Sequence, residues 1–229
     1  MNILYLIPAR GGSKGIPHKN SKDLNGKPLI LYSLEVARSL TGDDDICVST
    51  DDPQIISLLK SANYQVPFIR PAELATDTSS SYDVILHALY FYENQGKIYD
   101  AVVLLQPTSP LRTELHVKEA LNLFDMHIDA VVSVCESPHN PYYNLYEESN
   151  DHYLSISKGN GTCKRRQDAP KVWLFNGAIY VFNVESLKKG YFDSFTRIKK
   201  YVMPSQFLID LDTPLDWQIL ENMIRSRHD

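Results

Sequence analysis

The chain has 229 residues, of which 43% are hydrophobic and 22% are charged, and its formal net charge is −5 at pH 7. This length fits one large folding unit, and the negative charge gives no basic surface for nucleic acid, so a nucleotide is a better candidate ligand than a polymer. Three cysteines without paired spacing, no visible signal peptide and no apolar run of about 20 residues predict a cytoplasmic protein.

Apolar runs typical of strands alternate along the chain with amphipathic runs typical of helices. This alternation predicts an α/β fold with a mainly parallel sheet covered by helices. The unbroken apolar run at 101–105 is expected in the middle of the sheet. The predicted strands are 2–7, 46–50, 65–69, 101–105, 130–134 and 178–183, and the predicted helices are 28–40, 53–62, 82–94, 114–127 and 214–225.

A glycine-rich loop follows the first predicted strand and reads Ile7-Pro-Ala-Arg-Gly-Gly-Ser-Lys-Gly-Ile-Pro-His-Lys-Asn20. Its glycines let backbone N–H groups approach an anion, and Arg10, Lys14 and Lys19 add three cations. The spacing fits neither the Walker pattern nor the Gly-x-Gly-x-x-Gly dinucleotide pattern. We therefore predict a phosphate site, with a triphosphate as its natural ligand.

Three later segments carry further signals. Residues 106–112 follow the predicted central strand, and open α/β sheets bind ligands at the carboxyl ends of their strands. From about 136 to 172 the alternation stops, and the tyrosine-rich stretch is either a partner surface or a plain surface loop. Lys164, Arg165 and Arg166 form a run of cations that either is merely solvated or binds an acidic substrate.

Two carboxylates, Asp210 and Asp212, lie at i and i+2 before the last predicted helix. On an extended segment they would face the same side, and such a pair suits Mg²⁺, which takes one or two protein carboxylates together with phosphates and water. The alternative is simple helix capping, the role expected of Asp216. A zinc site and a serine hydrolase are disfavoured, because no Cys/His set and no Gly-x-Ser-x-Gly elbow is present.

Five motifs in this order resemble those of the acylneuraminate cytidylyltransferases, the CMP-sialic acid synthetases. The motifs are the first loop through Asn20, Gln106-Pro-Thr-Ser-Pro-Leu-Arg112, Arg165-Arg-Gln-Asp168, Asn176-Gly177 and Asp210-Leu-Asp212. The resemblance implies a Rossmann-like three-layer nucleotidyltransferase fold, one domain over 1–229, CTP as co-substrate, Mg²⁺ as cofactor, and a homodimer built by the excursion at about 136–172. The implied reaction joins CMP to the anomeric hydroxyl of a nine-carbon 2-keto-3-deoxy acid sugar and releases pyrophosphate.

The resemblance also implies a role for each matching residue. The catalytic set would be Arg10, Lys14, Lys19, Asp210 and Asp212, with the two aspartates as metal ligands. Nucleotide contacts would come from Ala9, Arg10, Gly12, Ser13, Asn20, Arg70, Ser81 and Gln106, and sugar contacts from Gln106, Arg166, Asn176 and Tyr180.

The chain departs from the related synthetases for the eight-carbon Kdo sugar. It lacks their Gln-Gly-Asp-Glu-Pro block at 106–110, which favours sialic-type acids and shifts metal binding onto Asp210 and Asp212. The stretch 171–180 resembles legionaminic acid enzymes more than neuraminate ones. The alternative functions are an inactive CTP-sensing module and a nucleotidyltransferase for another acidic sugar.

Overall fold

A computed structural model describes residues 1–226, so the last three positions of the predicted single domain lie outside the described residues. The strands are β1 (Ile3–Pro8), β2 (Asp23–Leu24), β3 (Lys27–Pro28), β4 (Ile46–Ser49), β5 (Ala101–Leu104), β6 (Ala130–Glu136), β7 (Tyr146–Glu148), β8 (Leu154–Ile156), β9 (Trp173–Asn183) and β10 (Ile198–Val202). The helices are α1 (Leu29–Arg38), α2 (Pro53–Ser61), α3 (Ser81–Glu93), α4 (Glu114–Asn122), α5 (Val184–Lys189) and α6 (Pro214–Arg225).

Six strands form one sheet in the order β10-β6-β9-β5-β1-β4. The β10/β6, β5/β1 and β1/β4 pairs are parallel, and β9 runs antiparallel to both of its neighbours. The predicted Rossmann-like fold with a mainly parallel sheet is therefore confirmed, and β5 lies inside the sheet as its apolar sequence predicted.

Alternate side chains of the central strands enter two hydrophobic cores. In β1, Tyr5 and Ile7 pack with residues of α1, α2, α4 and α6, whereas Leu4 and Leu6 pack with residues of α3 and α5. Successive side chains of a strand point to opposite faces, so a strand that is apolar throughout must be covered on both. The result is a three-layer arrangement of helices, sheet and helices.

Two predicted elements differ from the structure, and others were not predicted. The predicted strand at 65–69 is reduced to one isolated bridge between Thr50 and Ile69, because Pro67 lacks the N–H group that a strand pairing needs. The predicted helix at 114–127 ends at Asn122. Both α5 and β10 were missed, and β10 carries Lys199 and Lys200, a composition typical of a sheet edge.

The segment between β6 and β9 contains a small hairpin. Its strands β7 and β8 pair antiparallel, with Glu147 opposite Ser155. Aromatic and aliphatic side chains remain exposed on it, including Tyr153 at 76% and Leu154 at 69%. The segment between β6 and β9, which is the excursion expected at about 136–172, therefore contains a hairpin with apolar side chains at its surface.

Within residues 1–226, no helix combines the length and the apolar character that a membrane crossing requires.

Candidate functional site

The glycine-rich loop leaves the sheet where β1 ends and is held in place by its neighbours. The Ala9 N–H donates to the Ser49 carbonyl (2.9 Å), and the Gly11 N–H donates to the Asp51 carboxylate (3.0 Å). The side chain of Asn20 donates to the Arg10 carbonyl (3.1 Å), which closes the loop on itself. Its conformation is thus set by hydrogen bonds that leave the side chains of Arg10 and Ser13 at the cleft.

Gly15 lets the loop touch the segment that carries the two predicted metal ligands. A Cβ at position 15 would lie 2.1 Å from the carbonyl oxygen of Asp212, a distance that no side chain can adopt. Gly15 is therefore needed for close packing of the two backbones. From the sequence, the loop glycines were expected only to let N–H groups approach a phosphate.

The three cations of the loop reach two separate carboxylates. Lys19 donates to the Leu211 carbonyl (2.7 Å) and lies 3.1 Å from the Asp212 carboxylate. Arg10 and Lys14 both contact Asp77, one on each carboxylate oxygen, at 2.7 and 2.5 Å. These hydrogen bonds from Lys14 and Arg10 hold the pKa of Asp77 below its usual value.

Asp77 was not singled out from the sequence. It is a lone acid in the loop before α3 and belongs to no spacing pattern, so only its position in space reveals its relation to the cations.

The opposite wall of the cleft comes from the ends of β4 and β5 and the start of α3. Arg70 is 5% exposed and donates twice to Ser49, through Nη2 to the carbonyl (2.6 Å) and through Nε to the hydroxyl (3.0 Å). Burial lowers the pKa of Arg70, and the nearby Asp51 opposes that shift. Ser80 caps α3 through the Asp83 N–H, which leaves Ser81 at the cleft.

Gln106 lies against Arg112 and Gly177, two residues of the motifs to which the sequence assigned no role in the site. Arg112 is 3% exposed and donates to the carbonyls of Gln106 (3.1 Å) and Ala178 (2.7 Å) and to the Ser33 hydroxyl (2.6 Å). Gly177 has a φ of +69°, and a Cβ there would lie 2.8 Å from the Gln106 side-chain oxygen. Thus Arg112 holds the main chain of Gln106, and the lack of a side chain at Gly177 leaves room for the Gln106 amide.

Asp210 and Asp212 flank the fully buried Leu211 in a tight bend. The Asp212 N–H donates to the Asp210 carbonyl (3.0 Å), so the backbone turns here. The expectation that Asp210 and Asp212 lie on an extended segment is therefore wrong. Both side chains nevertheless line the same cleft. Among the described residues no group of three or more His, Cys, Asp or Glu side chains could hold a metal, so a cation here needs further oxygens from a ligand or water.

The cleft formed by these elements has a volume of about 340 Å³. It brings together most of the predicted contacts. Its lining includes Arg10, Ser13, Lys19, Asn20, Arg70, Ser81, Gln106, Asp210 and Asp212, together with Asp77, Thr76, Ser79, Thr108 and four apolar residues, Pro8, Leu74, Val84 and Pro107.

Six predicted site residues are not part of this lining, namely Ala9, Gly12, Lys14, Asn176, Arg166 and Tyr180. Ala9 is fully buried, and Gly12 and Lys14 are exposed, although Lys14 contacts Asp77 of the lining. Asn176 is 7% exposed and its amide is engaged inside the protein, accepting from the Ser133 hydroxyl (2.6 Å). Arg166 lies on the excursion, beside Glu136 and Lys171 in a smaller cavity of about 240 Å³.

Tyr180 projects from β9 and stacks on Phe182, with ring centroids 5.7 Å apart. Burial, and after it the charge of Asp210, raises the pKa of the Tyr180 hydroxyl. This residue is therefore close enough to the carboxylate pair to experience its field, although it does not line the main cleft.

Comparison with known proteins gives a consistent assignment. The N-acylneuraminate cytidylyltransferase of Streptococcus agalactiae serotype V is 36% identical over 223 residues, which are 95% of this chain and 52% of that protein. The CMP-N,N'-diacetyllegionaminic acid synthase of Legionella pneumophila is 31% identical over 226 residues, covering 98% of this chain and 97% of that protein. The pseudaminic acid cytidylyltransferase of Campylobacter jejuni is 31% identical over 231 residues, covering 100% and 99%.

The chain spans about half the length of the Streptococcus relative and nearly all of the other two. Among solved structures, the CMP:2-keto-3-deoxy-manno-octonic acid synthetase complexed with CTP superposes with a TM-score of 0.74 at 18% identity, covering 99% of this chain and 100% of that one. This structural likeness supports the fold. The model of the cytidylyltransferase family matches residues 4–218, so the resemblance seen in the motifs is confirmed and the chain belongs to this family.

Proposed function

We propose that this protein transfers CMP from CTP to the anomeric hydroxyl of a nine-carbon 2-keto-3-deoxy acid sugar and releases pyrophosphate. The observation that carries the proposal is that the glycine-rich loop, Gln106 and the Asp210/Asp212 pair meet at one cleft at the carboxyl edge of the sheet. The three relatives named above act on sugars of this kind, which supports the substrate class. A cytoplasmic location is part of the proposal, and the three cysteines without paired spacing support it.

The chain's contribution to this reaction is positioning and charge stabilisation. Arg10, Lys14 and Lys19 hold the β- and γ-phosphates, and Ser81 and Gln106 orient the nucleotide so that the sugar hydroxyl approaches the α-phosphorus in line. As the new bond from the sugar oxygen to the α-phosphorus forms, that oxygen loses its proton to solvent, and the bond from the α-phosphorus to the oxygen shared with the β-phosphate breaks. The negative charge on the departing pyrophosphate then increases beside the loop cations, which stabilise it.

The Asp210/Asp212 pair fits a divalent cation. Partial loss of solvent raises the pKa of Asp210 and repulsion by Asp212 raises it further, against the opposing effects of Lys19 and the Thr108 hydroxyl. Two hard carboxylates that repel each other beside a phosphate site are the protein share of a typical Mg²⁺ set. Bound there, Mg²⁺ would supply positive charge to the phosphate oxygens.

Selection of the sugar is proposed to involve Gln106, Tyr180 and Arg166, and Asn176 through the main chain at Ala178 that its buried amide holds. Arg166 forms no ion pair within residues 1–226 and lies outside the main cleft, so it would reach a substrate carboxylate only through movement of the excursion or from a second copy. The exposed Tyr146, Tyr153 and Leu154 make the excursion suitable for self-association, because aromatic residues are enriched in interface cores. We therefore propose a homodimer built by this segment.

The reaction itself is tested by incubating the protein with CTP, Mg²⁺ and a panel of N-acetylneuraminic, legionaminic, pseudaminic and Kdo acids. We expect pyrophosphate release with at least one nine-carbon acid, and release with legionaminic acid in preference to neuraminic acid would support that branch. Binding of CTP without release for any acid in the panel would instead favour a CTP-sensing module.

Arg10→Ala should lower kcat/KM for CTP by an amount equivalent to about 2–4 kcal/mol of transition-state stabilisation, as expected when one preorganised donor is removed. The measurement is steady-state pyrophosphate release at saturating sugar. Arg225→Ala is the matched control, because Arg225 is an exposed residue that contacts Asn25 away from the cleft. A rate near that of the unmodified protein for Arg10→Ala would contradict the role given to this residue.

Asp212→Asn should raise the Mg²⁺ concentration required for half-maximal activity, because it removes one hard anionic ligand. The Mg²⁺ dependence of the initial rate at fixed CTP measures this shift. Asp193→Asn provides an exposed control outside the cleft. If the Mg²⁺ profile of Asp212→Asn is unchanged, the metal is held elsewhere.

Asp210→Asn should stabilise the protein at pH 7.5 in the presence of a chelator. The pKa of Asp210 is raised in the folded state, so ionisation of this carboxylate opposes folding, and the penalty is present above the folded pKa and disappears as pH falls toward the unfolded value. Urea unfolding at pH 7.5 and near pH 4 tests this, and the gain should shrink at the lower pH. Equal stability of the two proteins at pH 7.5 would show that Asp210 is not destabilising when ionised.

A further inference from the structure

We infer that Asp77 is a displaceable internal anion that competes with the phosphate groups for Arg10 and Lys14 and so speeds the release of pyrophosphate. The inference deepens the proposed function, on which it rests for the identity of the leaving group. Its basis is the position of one carboxylate between two cations of the same loop.

The geometry of this contact is that of a bound anion. One oxygen of Asp77 lies 2.7 Å from the Arg10 guanidinium and the other lies 2.5 Å from the Lys14 ammonium. A phosphate group that bridges the same two cations would compete with the Asp77 carboxylate for these donors. Binding of phosphate to this part of the cleft is therefore an exchange of one anion for another.

The loop around Asp77 is fixed while its side chain is free to leave. The hydroxyls of Thr76 and Ser79 lie 2.7 Å apart, and the Ser79 hydroxyl donates to the Glu73 carbonyl (2.9 Å). These bonds hold the main chain on both sides of Asp77 and do not involve its carboxylate. With 40% of its side chain exposed, Asp77 can become hydrated after it is displaced.

Lys19 behaves differently from the other two cations. Its side chain is only 11% exposed, and it is also bonded to the Leu211 carbonyl on the far side of the cleft. The exchange therefore concerns Arg10 and Lys14, and Lys19 keeps its contact with the Asp210–Asp212 segment.

This competition lowers the binding free energy of pyrophosphate by a larger fraction than the binding free energy of CTP. Before the reaction the nucleotide is also held by contacts to its ribose and base, whereas pyrophosphate retains only its contacts with the cations. A carboxylate that recaptures Arg10 and Lys14 thus lowers the affinity for the product whose release must follow. Because exposed ion pairs are individually weak, the two together should reduce pyrophosphate affinity by about three- to tenfold.

The test measures binding of inorganic pyrophosphate with Mg²⁺ by titration calorimetry. Asp77→Asn should bind it about three- to tenfold more tightly than the unmodified protein, and its inhibition constant for pyrophosphate in the forward reaction should fall by the same factor. In an Arg10→Ala background the effect of Asp77→Asn should shrink, because one of the two contested cations is then gone. Asp77→Ser serves as a second variant if Asp77→Asn does not fold.

Glu73→Gln is the matched control, since it removes the same charge from the same loop and Glu73 makes no ion pair with Arg10 or Lys14 in the described chain. Equal or weaker pyrophosphate binding by both Asp77 variants, or equal tightening by Glu73→Gln, overturns the inference. Turnover of the unmodified protein with the acid-sugar panel distinguishes the two proposals. Turnover without tightening refutes only the role of Asp77, and tightening without turnover refutes only the proposed reaction.

Discussion

The cleft depends on the close contact between the glycine-rich loop near the start of the chain and the Asp210–Asp212 bend near its end. Gly15 allows the two backbones to touch, and Lys19 bridges them through a hydrogen bond between residues 192 positions apart. The triphosphate side and the proposed metal side of the cleft belong to these two segments. Without that contact, the cations and carboxylates would lie in separate surface loops and would form no common site.

The charges of the cleft are arranged in pairs before any substrate is considered. Lys19 neutralises part of the Asp210/Asp212 pair, and Arg10 and Lys14 share Asp77. Such pairing keeps the charged heads close to the positions that substrate charges would use, at a modest energetic cost because the groups remain partly hydrated. When a substrate binds, its charged groups would replace the carboxylates that now pair with the cations of the loop.

A buried arginine, Arg112, lies behind these charged residues and connects the elements that carry Gln106. The buried guanidinium of Arg112 has no carboxylate partner within residues 1–226, and burial lowers its pKa to about 9. It donates instead to main-chain carbonyls of the 106–112 loop and β9 and to a hydroxyl of α1. A single side chain therefore ties three elements together behind Gln106, and β9 is thereby fixed to the loop that follows β5.

The sequence by itself determined the main outline of this protein. Its continuous apolar runs specify the central strands, because such runs can be buried only in a sheet covered on both faces, and the spacing of the first motif specifies an anion site that is neither of the two common phosphate loops. Local patterns were insufficient for β10 and α5, which are short and polar. They were also insufficient for residues 65–69, where a proline prevents strand pairing.

Only the tertiary structure decided which charged groups meet. Asp77 carries no pattern in sequence, yet it contacts both Arg10 and Lys14. Asn176 lies in a motif but turns its amide toward Ser133 inside the protein. The physical reason is that ion pairs and hydrogen bonds act over a few ångströms in space. Which loops come within that range is set by sheet order and close backbone packing, and not by separation along the chain.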